Sequence, residues 1–275
     1  MTATNAMTSL PRAPMAVLSV IVLACLFGPF IMPYTAEQMD LLDTYAAPSL
    51  AHPLGTDALG RDVLARLLAA GRISLAVGLA ATLASSFIGI SYGALAGYRG
   101  GWTDQAMMRF VDVVYALPFL FFVIVLMVVI GRHMWLIFIA IAAVEWLTMA
   151  RIVRGQTVSL KQMEFIQAAR ALGLPPWRIL LRHIVPNLRS PVIVFATLSI
   201  PQAIMIESFL SFLGLGVQEP MTSWGSMIKS GVVDMEFAPW LLVSPAVILA
   251  VTLICLTVLG DAIRDALDKR ASAGL

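Results

Sequence analysis

Few side chains in this sequence have types and positions that could do chemistry, and those few lie far apart. Two carboxylates, Glu145 and Glu207, fall inside long apolar runs. An acid at mid-bilayer costs about 2.5 to 3.5 kcal/mol on insertion scales. Glu145, ten residues after Trp135, is therefore expected to face a bundle interior, a cavity or a partner. A hydrogen bond within the bundle and a contact with a cationic or peptide solute both fit that placement. Glu207 sits nearer the outer end of its run, which suits a gate or a helix-packing role. The histidines, His52, His133 and His183, lie in or near loops and are too far apart to suggest one metal site. Cys25 and Cys255 each lie in an apolar run, so they read as small core residues and not as a disulfide or metal pair. No nucleophile, paired carboxylates or metal cluster appears at usable spacing, which argues against a membrane enzyme. The sequence has no Gly-x-x-x-x-Gly-Lys-[Ser/Thr] phosphate loop.

The elements that must position these groups are written for lipid. The chain is 60% hydrophobic and 12% charged, against roughly 25% charged in soluble domains, and its mean hydropathy is +0.89. Six apolar runs, at 15–33, 74–97, 110–131, 135–153, 191–216 and 240–260, predict an all-α membrane protein with six transmembrane helices, because helices of this length satisfy their own backbone in lipid. The first run continues past Cys25 to Ile31 and so predicts a retained anchor. With both termini inside, thirteen of the 18 Lys and Arg residues fall on cytoplasmic segments, as the positive-inside rule requires. The segments 34–73, 217–239 and the turn at Gly131-Arg132-His133 then face outside.

Within 34–73, Thr56 or Asp57 is placed to cap a helix with Leu59, Val63, Leu64, Leu67 and Leu68 on one side. That pattern predicts a helix lying at the outer interface. The chain is accordingly divided into an N-terminal region, 1–72, and a five-span core, 73–275. Gly89, Gly93 and Gly97 recur at spacing four, leaving a stripe where another helix can approach, either in the same bundle or in a partner subunit. Pro118, Pro201 and Pro245 predict kinks in spans three, five and six, as static packing features or gating hinges.

Between spans four and five the pattern changes. Gln162 to Leu172 suits a helix with small Ala168 and Ala169 open to close approach of another surface. Gly173 is a natural stop, Pro175 and Pro176 end one helix and begin the next, and Trp177 to Val185 resumes with Arg178, Arg182 and His183 polar. Pro186 leads into span five. These features predict a compact cytoplasmic helix-turn-helix. Read from the residues alone, it could serve as a docking element or simply join two spans. Tethering at both ends disfavours DNA reading, and no nucleic-acid partner is expected.

The run Gln167-Ala168-Ala169, with Gly173 and Pro186 following, resembles the EAA loop of ABC-importer permeases. His52-Pro53-Leu54-Gly55-Thr56-Asp57, Gly60-Arg61-Asp62, Ala96-Gly97-Tyr98, Arg151-Ile152-Val153-Arg154-Gly155-Gln156, Leu210 to Gly216 and Ser223-Trp224-Gly225-Ser226-Met227 are similar to the C-type permease subunit of dipeptide, oligopeptide and nickel importers. The resemblance spans about residues 50 to 270. It implies a bacterial inner-membrane permease working by alternating access with a homologous second permease, two cytoplasmic ATPases that bind ATP and Mg, and an extracytoplasmic solute-binding protein. It implies no cofactor on this chain. It also implies that Gln167, Ala168, Ala169, Gly173, Arg182, His183 and Pro186 form the ATPase-coupling element. Gln167 stands where the loop's name-giving Glu belongs, and Glu145 where a small or neutral residue is expected. An ion-driven secondary transporter, using Glu145 and Glu207 in mid-span, is the alternative from another class.

Overall fold

A computed structural model describes residues 11–131 and 133–273; Arg132, expected in a turn, lies outside them. The described residues form eleven helical segments joined by loops, with one isolated bridge between Thr56 and Asp62. These are α1 Arg12–Ile31, α2 Val63–Arg99, α3 Gly101–Tyr115, α4 Phe119–Ile130, α5 Met134–Leu160, α6 Glu164–Ala171, α7 Pro176–Ile179, α8 Val185–Asn187, α9 Arg189–Phe212, α10 Trp224–Val233 and α11 Trp240–Ala273. A π-helical turn, Leu180–Ile184, links α7 to α8. Five helices, α1, α2, α5, α9 and α11, are long and apolar enough to cross a membrane, and α3 with α4 makes up to a sixth.

That sixth span departs from expectation. The run 110–131 is not one kinked helix: α3 and α4 meet at 80°. Pro118 has no N–H to continue the ladder and disfavours helical backbone at the residue before it. It stands in extended conformation as the N-cap of α4, so the helix breaks where a kink was predicted.

The outer interfacial helix is also absent as a separate element. Asp62, not Thr56 or Asp57, caps the helix, accepting from the Ala65 N–H at 2.7 Å. From there α2 runs unbroken for 37 residues, about 55 Å at 1.5 Å per residue. This exceeds a hydrocarbon core of about 30 Å, so its first turns extend the span, and the division between 72 and 73 falls inside one helix. Thr56 and Asp57 instead build the turn before it: the Asp57 carboxylate accepts from the N–H groups of Leu59 and Arg61.

Packing is arranged in three layers along α2. Val63, Leu67 and Ala70 pack with Cys25, Trp224 and Leu241 at the loop end. Val77 and Ala81 pack with Val123, Ile137, Ile141 and Leu210 in the middle. Ala94 packs with Met149, Val153, Ile166, Ala169 and Ile184 at the hairpin end. The glycine stripe faces α5 of the same chain. A Cβ would come within 2.5 Å of Met149 Cβ at Gly89, 2.3 Å of the Ala150 carbonyl at Gly93 and 2.8 Å of the Arg154 carbonyl at Gly97. Backbone-to-backbone approach of α2 and α5 is thus the axis of the bundle. Pro201 and Pro245 sit inside unbroken helices.

Candidate functional site

The hairpin between α5 and α9 is built by local rules. Helix α6 begins after extended Met163 and ends in a Schellman motif: the Leu174 N–H donates to the Ala169 carbonyl and the Gly173 N–H to the Arg170 carbonyl. Gly173 supplies the required left-handed backbone, φ +75°, with nothing within 4 Å of where a Cβ would stand. Its role is conformational, since there is no crowding to relieve. Pro175 is the extended N-cap and Pro176 the first residue of α7. Pro186 has no N–H to give the Arg182 carbonyl. The chain widens before it into the π turn, closed by the Val185 N–H donating to the Leu180 carbonyl.

The hairpin has two unlike faces. Ile166, Ala169, Ile179 and Ile184 are buried against Ala94, Met149 and Val153. Phe165, Ala168, Leu172 and Leu181 are exposed on the other side. Of the residues singled out in the sequence, Gln167, Ala168, Gly173, Arg182 and Pro186 are exposed and His183 is half-buried. Ala169 differs from expectation: its small side chain seats the hairpin on its own spans and is not offered outward. The large apolar residues of the free face were missed. Their signal was present in Phe165, Leu172 and Leu181, apolar positions out of phase with the Ile166/Ala169 stripe.

The two buried carboxylates are treated very differently. Glu207 is fully buried and accepts hydrogen bonds from Ser74 at 2.9 Å, Ser211 at 2.7 Å and Ser208 at 3.3 Å. Ser74 Oγ also accepts from the Trp224 N–H at 3.3 Å, and the Trp224 indole donates to the Leu67 carbonyl at 3.1 Å. One carboxylate therefore ties α9 to α2 and, through Ser74, to the start of α10, which is closed by a Ser223/Ser226 capping box. Ser211 also lines a polar cavity of about 270 Å³ with Arg66, Glu219, Thr222 and Lys229. Glu145, on α5, has both oxygens buried without a hydrogen-bond partner. Ser85 of α2 lies beside it, and the hydroxyls of Thr82 and Ser86 are likewise buried and unpartnered.

At the loop end, Arg61 donates to Asp57 at 2.7 Å and to Glu219 at 3.0 Å. Arg66 reaches the same two acids at 3.6 and 3.5 Å, and His52 Nδ1 meets Asp62 at 2.9 Å. Desolvation, reinforced by Asp234 and Asp57, raises the Tyr45 phenol above its ordinary range.

A family signature described as "Binding-protein-dependent transport system inner membrane component" matches residues 89–273. The chain belongs to this family. A second signature, "N-terminal TM domain of oligopeptide transport permease C", matches residues 13–48. The oligopeptide transport system permease protein OppC of Haemophilus influenzae is 49% identical over 94% of this chain and 84% of its own. Its counterpart in Escherichia coli is 48% identical over 94% and 87%. A solved chain of the MetNI methionine ABC transporter, in an inward-facing form, shares the fold at 17% identity, with a TM-score of 0.50 over 70% of this chain and 94% of that one. The permease is thus a bacterial inner-membrane subunit of an ABC importer, and the family acts together with ATPase and binding-protein components.

Proposed function

We propose that this permease forms one half of the pathway of a peptide importer, and that residues 164–187 are its ATPase-coupling element. The observation that carries the reading is the two-faced hairpin: one apolar face seated on α2 and α5, the other left free with Ala168 exposed on it. Relatives named for oligopeptide transport support the solute class. The chain lacks a Walker-type loop, so two separate ATPases supply the energy by closing and reopening under the hairpins of this chain and of a homologous permease. The hairpin faces the cytoplasm with both termini, while residues 34–62 and 217–223 face the binding protein. Motion passes from the hairpin through Ile166, Ile179 and Ile184 into α5 and α2, giving alternating access without covalent chemistry on this chain.

The ion-driven alternative finds no support in the relatives, which are named for oligopeptide transport, and Glu207 is committed to three serine hydroxyls. The test is Ala168→Asp in the complete transporter. A carboxylate there would be buried unpaired on docking, at a cost of several kcal/mol. The expected result is a permease that still inserts but no longer retains its ATPases or imports peptide. Full transport by this variant would refute the coupling role. Orientation is checked separately by cysteines at Ser49 and Gln167 in a cysteine-free background. An impermeant thiol reagent should label only the first in intact cells.

A further inference from the structure

A further cavity lies beneath the hairpin, at the end of α2. It measures about 620 Å³ and is lined by Leu95, Tyr98, Arg99, Lys161, Arg170 and Trp177, among others. Three of these are cations, and no carboxylate among the described residues lies within ion-pair distance of any of them. Lys161 and Arg170 have contacts that hold them in place without neutralising them. Lys161 Nζ donates to the carbonyls of Gly97 and Tyr98 at 3.3 Å each, closing the end of α2. The Arg170 guanidinium lies 5.2 Å from the Tyr98 ring centroid.

The remaining wall is apolar and continuous with the surface of a spanning helix. Ile88 and Leu95 are exposed on α2 and, at about 3.6 residues per turn, fall on the same face of that helix as Arg99. Trp177, 60% exposed, lines the same cavity. A free anion would use the cations and leave the apolar stripe idle. A neutral lipid would do the reverse.

We infer that this cavity binds the phosphate headgroup of an anionic phospholipid, with Arg99, Lys161 and Arg170 on the headgroup and the acyl chain along Leu95 and Ile88 of α2. Basic pockets between membrane helices recognise anionic headgroups through the same combination of charge and apolar wall. The lipid would fill the space between the hairpin and the end of α2, so the hairpin would rest partly on the bilayer itself. This assignment does not depend on the hairpin's proposed role toward ATPases.

The test is quenching of Trp177 fluorescence in the full-length permease with its co-purifying permease partner, in phosphatidylcholine nanodiscs without ATPases. The Trp177 signal is the difference from a Trp177→Phe variant, and the probes are brominated-chain phosphatidylglycerol and brominated-chain phosphatidylcholine. The anionic probe should quench at an at least fivefold lower mole fraction. Arg99→Gln and Arg170→Gln should each lower that preference about fivefold, the factor for roughly 1 kcal/mol per basic residue near an anionic surface. Arg99→Lys and Arg170→Lys, which keep the charge, should retain it. Equal quenching by the two lipids would overturn the proposal. So would displacement of the anionic probe by millimolar inorganic phosphate, which would assign the cations to a soluble anion. Glutamine variants that keep the lipid preference but lose ATPase co-purification would also overturn it, assigning the cations to an acidic protein surface.

Discussion

At the loop end of the permease, Arg61 and Arg66 share Asp57 and Glu219, Arg72 donates to the carbonyls of Cys25 and Leu26, and Glu207 is held by three serines. At the hairpin end, Arg99, Lys161 and Arg170 face a cavity without a carboxylate, and Phe165, Leu172, Trp177 and Leu181 stand exposed. The contrast separates two kinds of surface. A buried charge must find its partner inside the chain or be costly, so the loop end has the construction of a rigid frame. The hairpin end leaves apolar area and positive charge for other molecules to complete.

If the loop end is a frame, damage there should appear as lost stability. Trp224→Ala removes a fully buried indole and should destabilise the permease by about 3 to 5 kcal/mol, read as a large fall in the thermal unfolding midpoint in detergent. An unchanged midpoint would mean that the loop end is not part of the cooperative core. The carboxylates should divide next. Glu207→Gln weakens hydrogen bonds worth about 1.5 to 3 kcal/mol each when one partner is charged, whereas Glu145→Gln, at a buried carboxyl with only Ser85 beside it, should cost less in the same unfolding assay. Equal losses in the two variants would erase the distinction.

Gly173→Val should act locally. A non-glycine residue in left-handed backbone costs about 1 to 3 kcal/mol, so hydrogen exchange should accelerate in 164–187 while the spans keep their protection. Acceleration throughout the spans would place the hairpin inside the frame. A small effect is expected for Arg151→Gln, an exposed pair with Asp112 at 2.9 Å, worth at most about 1 kcal/mol. Arg154→Gln, which breaks a bidentate pair to buried Asp104, should cost more in the same unfolding assay. A larger loss at Arg151 would reverse that ranking.

The spans, the hairpin and its glycine stop were legible because hydrophobic runs, proline pairs and a C-terminal glycine act through local backbone physics. Features set by distant residues were not. The break at Pro118 looks like the kinks at Pro201 and Pro245 until packing decides which helix continues. The stretch from Leu59 to Leu68 has an amphipathic pattern, but most of it is the buried start of α2, under Trp224 from 157 positions away. Ser208 and Ser211 could have been read beside Glu207, while Ser74, 133 positions away, could not. Ala168 and Ala169 are indistinguishable in sequence, yet only the packing of Ile166 on Val153 and Ala94 decides that one is buried and the other free.

That pair of alanines also gives the most direct test of the coupling account. Single cysteines at Ala168 and Ala169, in a cysteine-free permease assembled with its ATPases, would be treated with a short thiol-reactive photocrosslinker. The account predicts an ATPase adduct from Ala168→Cys and none from the buried Ala169→Cys. An adduct from neither position, or equal adducts from both, would contradict it.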